Sequence, residues 1–207
     1  MIVLRDFRKS FNNHPVLSIQ YQSFEPGLYW IRGENGSGKS TLFKCIAGLL
    51  PFEGTIAFDD GPDLQKNPVE FRKRLTYSEA EPLFPGFLTG RDLMRFAGKI
   101  RSVPVTEQDE YCRKLDVSMH MDKPCEACSS GMLKKISLAM ALSGQPELIV
   151  LDEPFITLDS ATRQTLSSLL SEKTKSGAIA LVSSHEPLDE LGIRDFTTLN
   201  IYQKQLI

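Results

Sequence analysis

The chain has 207 residues, of which 41% are hydrophobic and 24% are charged, and its formal net charge at pH 7 is −2. This composition is typical of one soluble globular domain, and the small net charge predicts no general attraction to nucleic acid. No apolar run approaches the length that spans a bilayer, and the N-terminus lacks a signal-peptide pattern. We therefore expect any role at a membrane to come through a partner.

The first elements of the chain are predicted to be strands over residues 2–6 and about 17–23, with a loop at residues 12–15 between them. Phe11 lies just before that loop, where a phenylalanine either packs locally or stacks on an adenine ring. A turn at residues 25–27 leads into the apolar residues 28–31, which predict a buried strand.

A glycine-rich stretch follows this strand and has the pattern G-x-x-x-x-G-K-S. Glycines allow backbone shapes in which successive N–H groups point at one anion, and the helix that follows adds its positive N-terminus. Lys39 is expected to reach the β- and γ-phosphates of a nucleotide, and the Ser40 hydroxyl is the expected Mg²⁺ ligand. The stretch consists of Gly33, Glu34, Asn35, Gly36, Ser37, Gly38, Lys39, Ser40 and Thr41.

The middle of the chain is predicted to change from mixed structure to helix. A helix over residues 41–50, with positions 42, 43, 46, 49 and 50 on one apolar face, should stop at Pro51. Strands are expected at 54–59 and 74–78, with a short helix from Pro68, before a loop at residues 79–90. From residue 91 to about 142 the pattern is helical, with Thr106 predicted to cap one helix and Ser129 or Ser130 the next.

Two strands with continuous apolar runs, at residues 147–154 and 178–182, are followed by polar groups, and a third strand is expected near 196–201. Alternation of strands and helices predicts a parallel α/β core, whose ligands lie at the carboxyl ends of the strands. We assign Asp152 to Mg²⁺ and Glu153 to the attacking water as general base. His185, at the end of the next strand, should reach both the γ-phosphate and Glu153.

Cys125 and Cys128 form a C-x-x-C pair with His120 nearby. A zinc site would need two further ligands at comparable spacing, which Cys45 and Cys112 do not supply. Two ordinary thiols are therefore the favoured interpretation, and sparse, irregular cysteines fit a reduced compartment.

The order of these motifs resembles the ATP-binding subunits of ABC transporters over nearly the whole chain. The resemblance depends on residues 33–41, residues 148–154, Leu158-Asp159 and Ser183-Ser184-His185. It depends also on residues 128–132, Cys-Ser-Ser-Gly-Met, at the place of the family's L-S-G-G-Q signature. It implies a P-loop NTPase core with a mostly parallel sheet, an N-terminal antiparallel β portion and an inserted α-helical subdomain.

The resemblance implies that two such subunits pair head to tail and enclose two ATP molecules with Mg²⁺. Asp159 would communicate between the two sites, and Phe11 would stack on adenine beside Val16. The signature of one subunit, which would complete the nucleotide site of the other, comprises Ser129, Ser130, Gly131 and Met132.

The sequence departs from the family pattern at four positions. Ser130 and Met132 replace the first glycine and the glutamine of the signature, and Lys135 replaces an arginine. Ala80 takes the place of the family's glutamine-loop residue, so its side chain cannot bind metal or water. Glu79 and Glu81 are the neighbouring carboxylates that could replace it.

The resemblance implies a single ABC ATPase domain over residues 1–207, with an α/β core formed by 1–84 and 146–207 and a helical signature subdomain over 85–145. It would be a cytoplasmic subunit held at the inner face of the membrane by separate membrane-spanning subunits, paired as a homo- or heterodimer. The loop from Glu81 to Arg91, with the apolar Phe84, Phe87 and Leu88, would dock on them, although local packing is the alternative. The absence of an added C-terminal domain favours a small exporter type. The alternatives are a soluble ABC ATPase without transport and a nucleotide-binding regulator with weak hydrolysis.

Overall fold

A computed structural model describes all 207 residues and divides the strands between two sheets. The smaller sheet is antiparallel, with the order β2-β1-β4, where β1 is Ile2–Phe11, β2 is His14–Phe24 and β4 is Glu53–Phe58. The larger sheet has six strands in the order β5-β6-β7-β3-β8-β9. Its strands are β3 (Gly27–Arg32), β5 (Leu75–Ser78), β6 (Leu148–Leu151), β7 (Ile179–Ser183), β8 (Thr197–Tyr202) and β9 (Gln205–Leu206).

The first five strands of the larger sheet pair in parallel, and only β9 runs antiparallel to its neighbour. Alternate residues of β6 and β7 enter two different hydrophobic clusters: Ile149 and Val182 face one, and Val150 and Leu181 face the other. Both faces of the sheet are thus covered, which explains why these strands are continuously apolar. The predicted fold class, a P-loop core with parallel and antiparallel β parts, is confirmed.

The chain has six α-helices: α1 (Lys39–Ile46), α2 (Pro68–Lys73), α3 (Gly90–Arg101), α4 (Val105–Lys114), α5 (Ser130–Leu142) and α6 (Ser160–Lys175). Two short 3₁₀ helices, Ser118–His120 and Cys125–Ala127, lie between α4 and α5. Helices α3, α4 and α5 are consecutive and share one hydrophobic cluster with the face of the sheet that also packs against α6. The division of the chain into lobes at residues 85 and 145 stays a prediction. No helix combines the length and the hydropathy that crossing a membrane requires.

The sequence-based expectations were wrong for the first hairpin, the end of α1 and the last strand, and the strand expected over 147–154 covers only Leu148–Leu151. The N-terminal hairpin has no loop at 12–15: its strands continue to a two-residue turn of Asn12 and Asn13, both at positive φ, which suits the twist of a tight hairpin. Helix α1 ends at Ile46 rather than before Pro51, because Gly48 takes a left-handed φ of 71° and leaves Leu49 exposed. Strand β9 was not predicted at all.

The caps of the helical segment differ from prediction in one place. Ser129 caps α5, as expected, and its hydroxyl accepts a hydrogen bond from the Met132 N–H at 3.3 Å. Thr106 does not cap α4, which begins one residue earlier after Pro104. The capping box lies instead at the start of α3, where the Thr89 hydroxyl accepts from the Asp92 N–H at 3.1 Å and the Asp92 carboxylate accepts from the Thr89 N–H at 3.0 Å.

Replacement of Thr89 by alanine is expected to lower the free energy of unfolding by about 1 kcal/mol, because the Asp92 N–H loses its acceptor and the Asp92 carboxylate loses the hydroxyl that donates to it at 2.6 Å. Urea unfolding followed by circular dichroism measures the change. Thr106→Ala is the matched control, since Thr106 is exposed and caps nothing. Equal effects of the two substitutions would contradict the assignment of the cap.

Candidate nucleotide site

The glycine-rich loop leaves the carboxyl end of β3 and enters α1. Gly36 and Gly38 adopt φ values of 79° and 109°, and a Cβ on Gly38 would lie 3.2 Å from the Leu17 side chain. No side chain caps the N-terminus of α1, so the helix presents its first N–H groups to the loop. The loop therefore has the form of an anion-binding nest at a helix N-terminus.

Lys39 is held across this loop by main-chain acceptors. Its ammonium donates hydrogen bonds to the carbonyls of Gly33 at 2.7 Å and Glu34 at 3.1 Å. A polyphosphate on the loop would meet this ammonium without a large rearrangement of the lysine.

A polar cavity of about 210 Å³ joins the loop to the ends of β6 and β7. It contains no hydrophobic side chain, which suits a charged ligand rather than an apolar one. The residues that line this cavity are ones that the sequence predicts to lie near a bound nucleotide, and the structure brings them together at one edge of the sheet. They are Asn35, Gly36, Gly38, Lys39, Ser40, Thr41, Asp152, Glu153 and His185.

Asp152 is buried, and its Oδ1 accepts a hydrogen bond from the Ser183 hydroxyl at 2.7 Å. Ser183 therefore orients this carboxylate, a role that the sequence did not indicate. Ser40 and Asp152 supply a hydroxyl and a carboxylate oxygen to the same cavity, which fits Mg²⁺ shared with phosphate and water oxygens. No three His, Cys, Asp or Glu side chains lie together in a way that could hold a metal ion. Cys125 and Cys128 therefore belong to no such group.

Glu153 follows Asp152 in a left-handed backbone conformation, with φ of 45°, which is uncommon for a residue with a side chain. Its Oε2 accepts a hydrogen bond from the His185 main-chain N–H at 3.2 Å. Its buried Oε1 has no hydrogen-bond partner and lies 3.5 Å from Nε2 of His185. Burial raises the pKa of Glu153, and the neighbouring His185 opposes that rise. A buried carboxylate with one free oxygen and a raised pKa is suited to accept a proton from water.

A second cavity, of about 750 Å³, also borders the glycine-rich loop. Val16 lines it together with Gly33, Ser37 and residues 200–204 of the β8–β9 hairpin. The sequence pattern indicates β8 but not its partner β9, because β9 has only two residues. Phe11 lines neither cavity: its side chain is 45% exposed at the β1–β2 turn, with the Lys9 ammonium 4.4 Å from the ring centroid.

The signature residues are not brought to the phosphate cavity of their own chain. Ser129 and Ser130 are exposed at the start of α5, and Gly131 and Met132 are half-buried. A Cβ on Gly131 would lie 3.1 Å from the Thr157 carbonyl, so the signature packs against the segment before α6.

Asp159 caps α6 and accepts a hydrogen bond from the Thr162 N–H at 2.9 Å. Its carboxylate also pairs with the Lys135 ammonium at 2.8 Å, and this contact holds the pKa of Asp159 well below its usual range. Lys135, which replaces the family's arginine, thereby connects the signature helix to the start of α6 within one chain.

The glutamine-loop position does not contribute to the cavity. Ala80 does not line it, and Glu79 turns away to pair with Lys44 at 3.8 Å. Glu81 does not line it either, so the structure gives no support for a carboxylate that replaces the missing glutamine.

Comparison with known proteins gives a family match over residues 18–156, to the model described as ABC transporter. The chain belongs to the ABC transporter family. It is 30% identical to the cytochrome c biogenesis ATP-binding export protein of Legionella pneumophila (strain Lens) over 182 residues, covering 86% of this chain and 89% of that protein. It is also 29% identical over 209 residues to the ribose import ATP-binding protein of Oceanobacillus iheyensis, covering 96% of this chain.

The chain spans 42% of the ribose import protein's length and smaller shares, 19% and 7%, of two other relatives. Among solved structures, it is similar to one titled as the ATP binding subunit of an ABC transporter, with a TM-score of 0.87 and 23% identity. That match covers 100% of this chain and 88% of the other. This likeness confirms the fold that the sequence predicted.

Proposed function

We propose that this chain binds Mg²⁺–ATP, hydrolyses it and powers a membrane transporter as its ATP-binding subunit. One observation carries the hydrolytic part: Glu153, whose Oε1 has no hydrogen-bond partner, lines the same polar cavity as Lys39. A triphosphate on the loop would place its terminal phosphate beside Lys39, and a water next to that phosphate would meet Glu153. Bound Mg²⁺ would neutralise phosphate charge, with Ser40 and Asp152 as its protein ligands.

The proposed arrangement is a homo- or heterodimer in which the signature loop of one subunit covers the nucleotide of the other. It is supported by the exposure of Ser129 and Ser130, which lie outside the cavity of their own chain. Asp159 and Lys135 would connect the two sites. Phe11 would reach adenine from the β1–β2 turn, beside Val16.

The loop before α3 is the proposed contact with separate membrane-spanning subunits, which would hold the chain at the inner face of the membrane. Phe84 and Leu88 pack against the hydrophobic core, whereas Leu83 and Phe87 are 88% and 79% exposed. Two large and strongly exposed apolar side chains within five residues of one loop support a partner contact there. The similarity to export proteins over most of their length supports an exporter type.

This docking proposal predicts that Phe87→Asp abolishes capture of the membrane subunits from detergent-solubilised membranes of the source cells, and leaves ATP binding unchanged. A charged side chain on the contact would have to be desolvated, which opposes docking. Tyr21→Asp is the matched control, because Tyr21 is an exposed aromatic on β2. Membrane capture that survives Phe87→Asp, or that Tyr21→Asp abolishes equally, would contradict this contact.

A regulator with weak hydrolysis is the second candidate, and the alanine at position 80 is the observation that favours it. Phosphate release in the presence of Mg²⁺ and the captured membrane subunits separates the two functions. Turnover that depends on Mg²⁺ and on Glu153 supports the transport ATPase, and ATP binding without turnover supports the regulator.

A further inference from the structure

Lys134 is a buried lysine on the helix that begins at the signature. It lies five residues after Ser129, and its side chain is 1% exposed. Its ammonium donates three hydrogen bonds, to the carbonyls of Glu79 at 2.7 Å, Ala80 at 3.1 Å and Asp152 at 3.0 Å. One side chain thus joins α5 to the residues that follow β5 and β6.

All three acceptors are main-chain carbonyls, so the buried charge is satisfied without a carboxylate in hydrogen-bond contact. Burial lowers the pKa of Lys134 to about 8, against the attraction of Asp152, Glu153 and Glu79. A methionine would fill similar space without burying a charge. What lysine adds is three directed donors, and these fix the positions of the groups that accept from them.

The peptide unit between Asp152 and Glu153 is held at both of its polar atoms. Its carbonyl oxygen accepts from Lys134, and its N–H donates to the Ser183 hydroxyl at 2.8 Å. The orientation of this peptide plane relative to the Glu153 Cα defines the φ of Glu153, which is in the left-handed region. Such a conformation persists only where the surroundings hold it. Lys134 and Ser183 are the two side chains that hold it here.

We propose that Lys134 is a positioning residue for ATP hydrolysis. It fixes the Asp152–Glu153 peptide so that the Glu153 carboxylate faces the phosphate cavity, and it ties the loop at Ala80 to the same point. The main chain at Ala80 is thereby connected to the end of β6, although the alanine side chain does not line the phosphate cavity. This inference rests on the proposed function, because it requires Glu153 to be the base.

The test compares two buried lysines in the full chain. Lys134→Met is expected to lower kcat by at least about tenfold, with the KM for ATP within about threefold of the wild type, because the nucleotide-binding loop is intact. Lys134→Arg, which retains directed donors, should recover part of the loss. Lys173→Met is the control, since Lys173 is also buried and donates to a main-chain carbonyl, that of Gly144, outside the phosphate cavity. It should lower the thermal midpoint but keep kcat within about twofold.

A crystal structure of Lys134→Met gives a second readout that does not depend on turnover. We expect the Asp152–Glu153 peptide to rotate and Glu153 to leave its left-handed φ. An unchanged peptide, an unchanged kcat, or an equal fall of kcat in Lys173→Met would overturn the inference. Should Lys134→Met not fold, Lys134→Gln, with two donors for three acceptors, is read by the same criteria. Should the wild type release no phosphate, the proposed function fails, and the position of this peptide in the variant still decides the role of Lys134.

Discussion

Glu153→Gln is expected to reduce ATP hydrolysis by about 10²- to 10⁴-fold, which is the range that a positioned general base contributes. The structure leaves Oε1 of Glu153 without a hydrogen-bond donor while Oε2 is held by the His185 N–H. An amide has nearly the same shape and would fill the same position, but it cannot accept the proton of the attacking water. The defect should therefore appear in kcat and not in the affinity for ATP.

Phosphate release at saturating Mg²⁺–ATP measures the rate, and equilibrium binding of a fluorescent ATP analogue measures the affinity. Glu79→Gln is the matched control, because Glu79 is a nearby carboxylate that pairs with Lys44 outside the cavity. If Glu153→Gln keeps a third or more of the wild-type rate, the base is another group and the proposed mechanism is wrong.

The phosphate cavity could be predicted from the sequence because its parts are local. The glycine-rich pattern between a predicted strand and a predicted helix is enough to indicate a phosphate-binding loop. Asp152, Glu153 and His185 follow buried strands, and parallel strands bring their carboxyl ends to one edge. Chain order and alternating burial therefore sufficed to bring distant residues into one cavity.

The features that the sequence did not predict are mainly contacts between elements that are distant in sequence. Nothing local distinguishes Lys134 from an exposed lysine, because its burial follows from how α5 packs on β5 and β6. The role of Ser183 likewise depends on the strand beside it. For α1, the apolar spacing of Leu49 suggested a continued helix, but the backbone of Gly48 ends it first. The burial of Lys134 and the role of Ser183 depend on tertiary packing, whereas the end of α1 follows from a local signal, a glycine just after the last helical turn.

Lys39→Ala is expected to weaken ATP binding by at least about 100-fold. A charge-assisted hydrogen bond contributes about 1.5–3 kcal/mol, and Lys39 is expected to make two to the phosphates. The loss of both corresponds to about 3 kcal/mol or more, or a factor of at least about 100 in the dissociation constant. An ammonium has three N–H donors, so one of its hydrogen bonds to Gly33 and Glu34 is exchanged for phosphate, and the other keeps the side chain over the loop.

Calorimetric titration of the full chain with Mg²⁺–ATP measures the effect of this change. Lys44→Ala is the matched control, since Lys44 lies on the same helix but pairs with Glu79 and does not line the phosphate cavity. Thermal unfolding without nucleotide should differ little between the two variants, because each loses only contacts at a solvent-accessible site. An affinity of Lys39→Ala within threefold of the wild type would place the triphosphate elsewhere. The proposed role of Glu153 would then be wrong as well, because no phosphate would lie beside its carboxylate.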